Sequence, residues 1–443
     1  MTRRDAAVAA AAPAAEDEVV DICRDLLRID TSNYGDASGP GERAAAEHVM
    51  GLLTEVGLGP ELIESEPGRA SVVVRVEGSD PGRNALLVHG HLDVVPAHAP
   101  DWQVHPFSGE ERDGALWGRG AVDMKGMDAM LLAVLRDLAR TGRRPARDVV
   151  FAFLADEEAG GLKGARYLVD HRPELFEGVT EAISEVGGFS VDLAGQRCYL
   201  LQTAEKGITW LRLLAHGRAG HGSQVNDDNA VTRLCEAVAR IGRHDWPLEI
   251  TPTVRQFLDG VSEVTGTELD PTDTRQLVDT LGTTARWVGA TLRNTANPTV
   301  LDAGYKHNVI PGTASALLDC RYLPGRDGEL LDTVRRLAGD GVDVEVLHTD
   351  VALETPFEGP LVDVMVDALL AEDPGARVLP YCLSGGTDNK SFARLGIRGY
   401  GFAPLRLPAD LDFSGMFHGV DERVPVDALR FGTRVLDRVL RTA

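Results

Sequence analysis

Positive charge is what this 443-residue chain has least of: 45 lysines and arginines face 68 aspartates and glutamates, for a net charge of −23. That balance argues against binding nucleic acid or an anionic membrane through a basic surface, and it leaves an anionic substrate possible, because a local arginine or a metal overrides the global field. Cysteine is scarce as well. Cys23, Cys198, Cys235, Cys320 and Cys382 are odd in number and lack any C-x-x-C spacing, so they read as reduced packing residues of a cytoplasmic protein. No stretch approaches the roughly 18 apolar residues that a membrane-spanning helix needs. The Ala-rich start after Met1-Thr2-Arg3-Arg4 is interrupted by Asp5 and Pro13 and runs into Glu16-Asp17-Glu18. Its apolar region is too weak for a signal peptide, and residues 1–15 are expected to form a disordered tail. Internal repeats are absent. Gly118-Arg119-Gly120 lacks the third glycine of a dinucleotide loop, and Ser384-Gly385-Gly386 lacks the G-x-S-x-G of a nucleophile elbow.

What is present is a set of strand-length apolar runs that stop abruptly in ligand-type residues. Ala85 to Val88 runs into His89-Gly90-His91-Leu92-Asp93, Val149 to Leu154 ends in Asp156-Glu157-Glu158, and Glu181 to Ser184 ends in Glu185. With Asp123 and His418, also expected at strand ends, these residues offer ligands for two metal ions, in the place where open α/β sheets build their sites. Two divalent ions about 3.5–4 Å apart need a bridging carboxylate, assigned to Asp123, and each needs its own imidazole or carboxylate ligands. Asp93, two residues beyond His91, supplies the carboxylate that fixes the ring's tautomer and orientation. In an extended segment Glu157 and Glu158 point to opposite faces, so only one is expected to bind metal, leaving the other free as general base. His89 and His105 read as packed or solvated histidines rather than ligands.

The motifs His91-Leu92-Asp93-Val94-Val95-Pro96, Trp117 to Gly126, Asp156 to Gly161, Glu185-Val186-Gly187-Gly188, Gly220-His221-Gly222-Ser223, Asn308-Val309-Ile310-Pro311, Gly385-Gly386-Thr387-Asp388 and Phe417-His418-Gly419 follow in order from about residue 18 to 440. In order and spacing the chain resembles the peptidase family M20 metallohydrolases, a group of acetylornithine deacetylases, succinyl-diaminopimelate desuccinylases, aminoacylases and carboxypeptidases. The resemblance implies that Asp123 bridges two divalent ions, most simply zinc with cobalt or manganese as alternatives. It places His91 and Glu185 on one ion and Glu158 and His418 on the other, with Glu157 as general base. It also implies a cis peptide at Asp123–Met124. Many relatives carry a second aspartate or a serine near that peptide, where this chain has Met124.

The family resemblance further assigns His221 as an oxyanion donor reaching the neighbouring subunit of a homodimer, and Asn308 as a hydrogen-bonding partner of the substrate. Arg321 is expected to grip a substrate carboxylate or, alternatively, to pair with a carboxylate of the lid. Gly385, Gly386 and Thr387 would let backbone donors approach the same end of the substrate.

Helix is expected over Gly41 to Val56 and from Met124, where Met127, Met130, Leu131, Val134, Leu135 and Leu138 recur at three-and-four spacing. Strands are expected over Ser71 to Val76 and Ala85 to His89. Such alternation gives an α/β fold with a central mixed sheet flanked by helices, zinc-peptidase-like by the resemblance. Residues 204–352 change style, with strand after Glu205-Lys206-Gly207, helix over Asn229 to Ile241, strand over Ser315 to Tyr322, helix over Asp327 to Ala338 and strand over Val342 to Leu347. They are expected to form an inserted α+β, ferredoxin-like lid that also dimerises, splitting the catalytic domain into 16–203 and 353–443. The Thr-, Asp- and Pro-rich stretch from about 244 to 300 is expected to elaborate the dimer surface or the substrate wall. After Pro356 the pattern returns to helix and loop.

These readings converge on hydrolysis of an amide in a small substrate with a free carboxylate, either the C-terminus of a short peptide or an N-acyl-amino acid. The alternatives are a deacylase of the acetylornithine or succinyl-diaminopimelate type and, more remotely, a metal-dependent binding protein without catalysis.

Overall fold

Along each central strand, alternate side chains leave for two different cores. In the strand Ala85–His91, Leu86 and Val88 enter one apolar cluster while Ala85 and Leu87 enter another, and Val149–Leu154 divides the same way into Val149, Phe151, Phe153 and Val150, Ala152, Leu154. A strand buried on both faces reads as an unbroken apolar run, which is why these two stood out in the sequence. The computed structural model describes residues 14–36, 38–282 and 285–443. Of the expected tail, residues 1–13 lie outside the described residues, and Ala15 already opens the helix Ala15–Leu27.

The large sheet has ten strands. Its middle is parallel, with Ala85–His91 between Val149–Leu154 and Val179–Ser184, and Arg398–Gly401 beyond the latter; antiparallel strands close both sides. Helices Ala15–Leu27, Arg43–Glu55, Lys125–Thr141 and Val426–Thr442 contribute buried faces to the larger cluster, and Ala165–His171 and Phe392 to the smaller. The segment after Pro356 contains more than helix and loop: Arg377–Leu383 and Arg398–Gly401 are strands of this sheet.

A separate four-stranded antiparallel sheet is built from Thr295–Ala303, Thr313–Tyr322, Gly207–His216 and Val342–Asp350, in that order. Leu211, Leu213, Ala316 and Leu318 pack from one face of it under the helices Ala230–Gly242 and Asp327–Ala338. Only Lys206 separates the large-sheet strand Gln196–Glu205 from Gly207–His216, and the chain returns through Val351 and Ala352.

Much of the stretch 244–300 packs on the catalytic body, a partner the sequence pattern did not name. Val254, Phe257, Leu258, Val261, Leu277, Val288 and Leu292 join the core of the large sheet. Helix Pro252–Thr265 lies against Arg377–Leu383 and only Thr295–Ala303 belongs to the smaller sheet. Apolar side chains at helical spacing bury against the nearest apolar face, and here that face belongs to the catalytic body.

Candidate active site

His91 closes its strand with the ring turned by its own chain. Nδ1 lies 2.9 Å from the carbonyl oxygen of Asp93 and 3.5 Å from its carboxylate, so the backbone rather than the expected carboxylate makes the short contact that orients the ring and turns Nε2 to the cluster. Nε2 is 3.1 Å from Asp123 Oδ1, 3.4 Å from Glu185 Oε2 and 3.9 Å from Glu157 Oε2. The other oxygen of Asp123 faces the second histidine: Oδ2 is 3.2 Å from His418 Nε2, which is 3.1 Å from Glu158 Oε2. One carboxylate thus presents one oxygen to each imidazole.

Two local expectations need correction. Glu185 follows a strand directly, but Asp123 lies in the loop before helix Lys125–Thr141 and His418 in a turn, with φ +57, so neither is at a strand end. Glu157 and Glu158 are not extended either. Asp156, at φ +68, breaks the strand and sends Glu157–Ala159 into a 3₁₀ turn, so both carboxylates reach the same cluster. The donor atoms of His91, Glu157 and Glu185 lie within 4.8 Å of one another, as do those of His91, Asp123 and Glu158.

Asp93 connects the two halves. Its two oxygens accept the backbone N–H groups of Glu157 and Glu158, each at 3.1 Å, so the residue that orients His91 also anchors the carboxylate turn. The Asp123–Met124 peptide is cis, and the Met124 sulfur accepts the His91 N–H at 3.1 Å. A thioether therefore supports His91.

Sequence reasoning missed three supports. Asn33 donates to Asp93 at 2.9 Å and to Asp156 at 3.2 Å, and Arg69, paired with the fully buried Glu42, donates to Asn33 at 3.0 Å. Glu422, also fully buried, accepts the N–H groups of Gly120, Val122 and Asp123 at 3.1, 2.7 and 3.0 Å and the Arg119 guanidinium at 2.7 Å. Arg119 in turn donates to the Gly419 carbonyl at 2.7 Å, tying the Asp123 loop to the His418 loop. A glutamate four residues after His418 was the available signal for Glu422; Asn33 had none.

The electrostatics show what the cluster is short of. Burial and the facing Glu185 push the Glu157 carboxyl well above its ordinary range, and burial raises Glu185 to about 7. Asp123 goes the other way: against burial, the hydrogen bonds it accepts from His418 and His91 hold it low, while donating to Asp123 and Glu158 lifts His418 to about 10. Four acidic groups around two imidazoles carry more negative charge than the site can solvate, so Glu157 and Glu185 are driven toward their protonated forms, a shift that bound cations would oppose. Oxygen and imidazole donors in this number suit divalent metal ions.

The remaining expected residues divide into two places. Arg321, Gly385, Gly386 and Thr387 line a cleft of about 340 Å³ with Asp123, Glu157, Glu158, Glu185 and His418. Arg321 makes the lid pairing weighed as the alternative: its Nε and Nη2 donate to the two oxygens of Asp319 at 2.6 and 2.9 Å. The Thr387 hydroxyl donates to Glu205 at 3.1 Å. His221 is exposed and Asn308 lies beside it, its carbonyl accepting the Gly222 N–H at 2.9 Å; neither lines this cleft. His89 is buried against Asn389 at 3.0 Å, and His105 Nδ1 accepts the Phe107 N–H at 3.2 Å.

Residues 87–442 match the model of peptidase family M20/M25/M40. The chain belongs to this family. As an M20 peptidase homologue it is a hydrolase of C–N amide bonds. It is 29% identical over 439 residues to the N-fatty-acyl-amino acid synthase/hydrolase PM20D1 of Xenopus tropicalis, covering 93% of this chain and 83% of that one. It is 27% identical to human aminoacylase-1, covering 97% of this chain and 96% of that one. Its fold is that of an M20 family metallo-carboxypeptidase from Sulfolobus solfataricus, with a TM-score of 0.73 at 18% identity over 96% of this chain and 99% of that structure. Among the described residues, no helix of this M20 chain is long and apolar enough to cross a membrane.

Proposed function

We propose that this chain hydrolyses the amide bond of short peptides or N-acyl-amino acids at a site for two divalent ions. The observation that carries the reading is Asp123, with one oxygen 3.1 Å from His91 and the other 3.2 Å from His418. In this reading His91 and Glu185 hold one ion, Glu158 and His418 the other, and Asp123 is shared by both. Bound zinc, or cobalt or manganese, would polarise the scissile carbonyl and activate a water for attack. Glu157, whose Oε2 lies 3.9 Å from His91 Nε2, takes the proton of that water and delivers it to the leaving amine. Asp93 keeps His91 in one tautomer and holds the turn that aims Glu157.

Exposed His221 and adjacent Asn308 do not line their own chain's cleft, and this supports the reading of a homodimer formed through the lid, with His221 donating to the oxyanion across the interface. Gly385, Gly386 and Thr387 would position the carboxylate end of the substrate. The five unpaired cysteines suit a reducing, cytoplasmic setting. The names of the aminoacylase-1 and N-fatty-acyl-amino acid hydrolase relatives favour N-acyl-amino acids. The test is a screen of zinc- and cobalt-loaded protein against N-acyl-amino acids and dipeptides, read by mass spectrometry. Turnover of either class supports the reading, and a loaded protein that cleaves neither sinks it.

A further inference from the structure

On its lid side the cleft is lined by Ile208, Trp210 and His348, with Arg321 and Asp350 beside them. Strand Gly207–His216 turns Ile208 and Trp210 away from the lid's own core. Its register sets Trp210 opposite Asp319 on one side and His348 on the other, and Ile208 opposite Arg321 and Asp350. Ile208, Trp210 and His348 line the same cleft as the metal-site carboxylates. The Trp210 ring lies 5.0 Å from that of His348, and Trp210 stays 37% exposed although it lines an enclosed face. On either side of it the lid meets the catalytic body at glycines. A Cβ at Gly386 would fall 2.9 Å from Ile208 Cδ1, and one at Gly160 4.0 Å from His348 Cε1. Trp210 is thus a large ring held over the cleft with nothing packed on part of its surface.

The cations lining the cleft are already engaged. Arg321 gives two donors to Asp319, and the Lys390 ammonium donates to the carbonyls of Lys206 and Val351 at 2.7 and 2.8 Å, with Glu205 at 3.5 Å. Asp350 and Asp388 add further acid to the lining. A carboxylate brought against this wall would lose water, meet Asp319 and Asp350 and have to share Arg321 with Asp319, whereas an apolar group would cover exposed ring.

Resting on the amide-hydrolase reading, we propose that Ile208, Trp210 and His348 form a subsite that takes a neutral aromatic or branched aliphatic group of the substrate and rejects an acidic one. The test compares kcat/KM of zinc-loaded enzyme across two series. Acetyl, succinyl and phenylacetyl groups are varied on one amino acid, and alanine, glutamate, leucine and phenylalanine are varied under one acyl group. The expected result is a preference for apolar over acidic groups of roughly 10- to 200-fold in at least one series, the range such pockets supply. Trp210→Ala should cut that ratio about tenfold and Trp210→Phe should restore most of it. A ratio unchanged in Trp210→Ala, or a preference for succinyl or glutamate, overturns the subsite. If wild type cleaves no amide, the hydrolase reading fails separately, and calorimetric binding of N-phenylacetyl-phenylalanine decides the subsite. About tenfold weaker binding to Trp210→Ala would support it, and equal binding, or none to wild type, would overturn it.

Discussion

Glu157 and Glu158 are neighbours in sequence with different surroundings, and that difference makes them separable by mutation. Glu158 lies 3.1 Å from His418, whereas Glu157 stands off His91 by 3.9 Å. Glu157→Gln is expected to keep two metals per chain and lose about 10² to 10⁴ in rate, the usual cost of removing a general base. Metal content and rate on one preparation check this; loss of metal in Glu157→Gln with retention in Glu158→Gln would reverse the roles. Arg321 gives a second test. Because Asp319 occupies its fork, Arg321→Met should change KM for a free acid and for its amide by the same factor. A loss confined to acids would show that the guanidinium leaves Asp319 to hold substrate. The residues of the cluster were legible in sequence because each stands in a recognisable motif. The engagement of Arg321 was not, since its partner is decided by which face of a strand both side chains share.

Among the elements, two loops far apart in the chain are joined by one carboxylate. Glu422 accepts three N–H groups of the loop carrying Asp123 and stands four residues from His418, so it sets the distance between the shared carboxylate and the second histidine. Glu422→Gln removes charge and one good acceptor while keeping shape. Supporting groups of this kind typically cost 10- to 100-fold in metal affinity. A cobalt titration followed by absorbance should therefore show one of the two ions weakened by about that factor, and two ions bound as in wild type would reduce Glu422 to a structural role. Strands and helices with strong periodicity were readable: Asp327–Ala338 and Val149–Leu154 lie where their patterns place them. The turn at Glu157–Ala159 was not, because Asp156 in the left-handed region is sustained by contacts from Asn33 and the Lys163 N–H, remote in sequence or invisible in pattern.

For the whole molecule, two of the crossings between lid and catalytic body are short, at Lys206 and at Val351, and the buried ammonium of Lys390 binds the carbonyl of each. One side chain of the catalytic body therefore holds both strands of the hinge. The lid carries His221 exposed, so the proposed dimer has a direct test. Mixing inactive Glu157→Gln chains with inactive His221→Ala chains should restore activity, because one site in each heterodimer combines a wild-type Glu157 with a wild-type His221. Random exchange makes about half the dimers mixed, each with one working site, so recovery should approach roughly a quarter of wild type. Exchange without recovery would confine His221 to its own chain or remove it from the reaction.

Residue types and their order alone determined the family, the α/β character, and the set His91, Asp123, Glu157, Glu158, Glu185 and His418. Metal chemistry tolerates few donor types, and buried strands require apolar runs, so both leave marks that a linear reading can find. Only the tertiary structure decided which body claims residues 244–300, that Asp319 engages Arg321, and that Glu422 and Asn33 brace the site from behind. Each of these is a contact between segments distant in sequence or a choice of face, and hydrophobic burial and hydrogen-bond pairing make that choice only once the elements are packed.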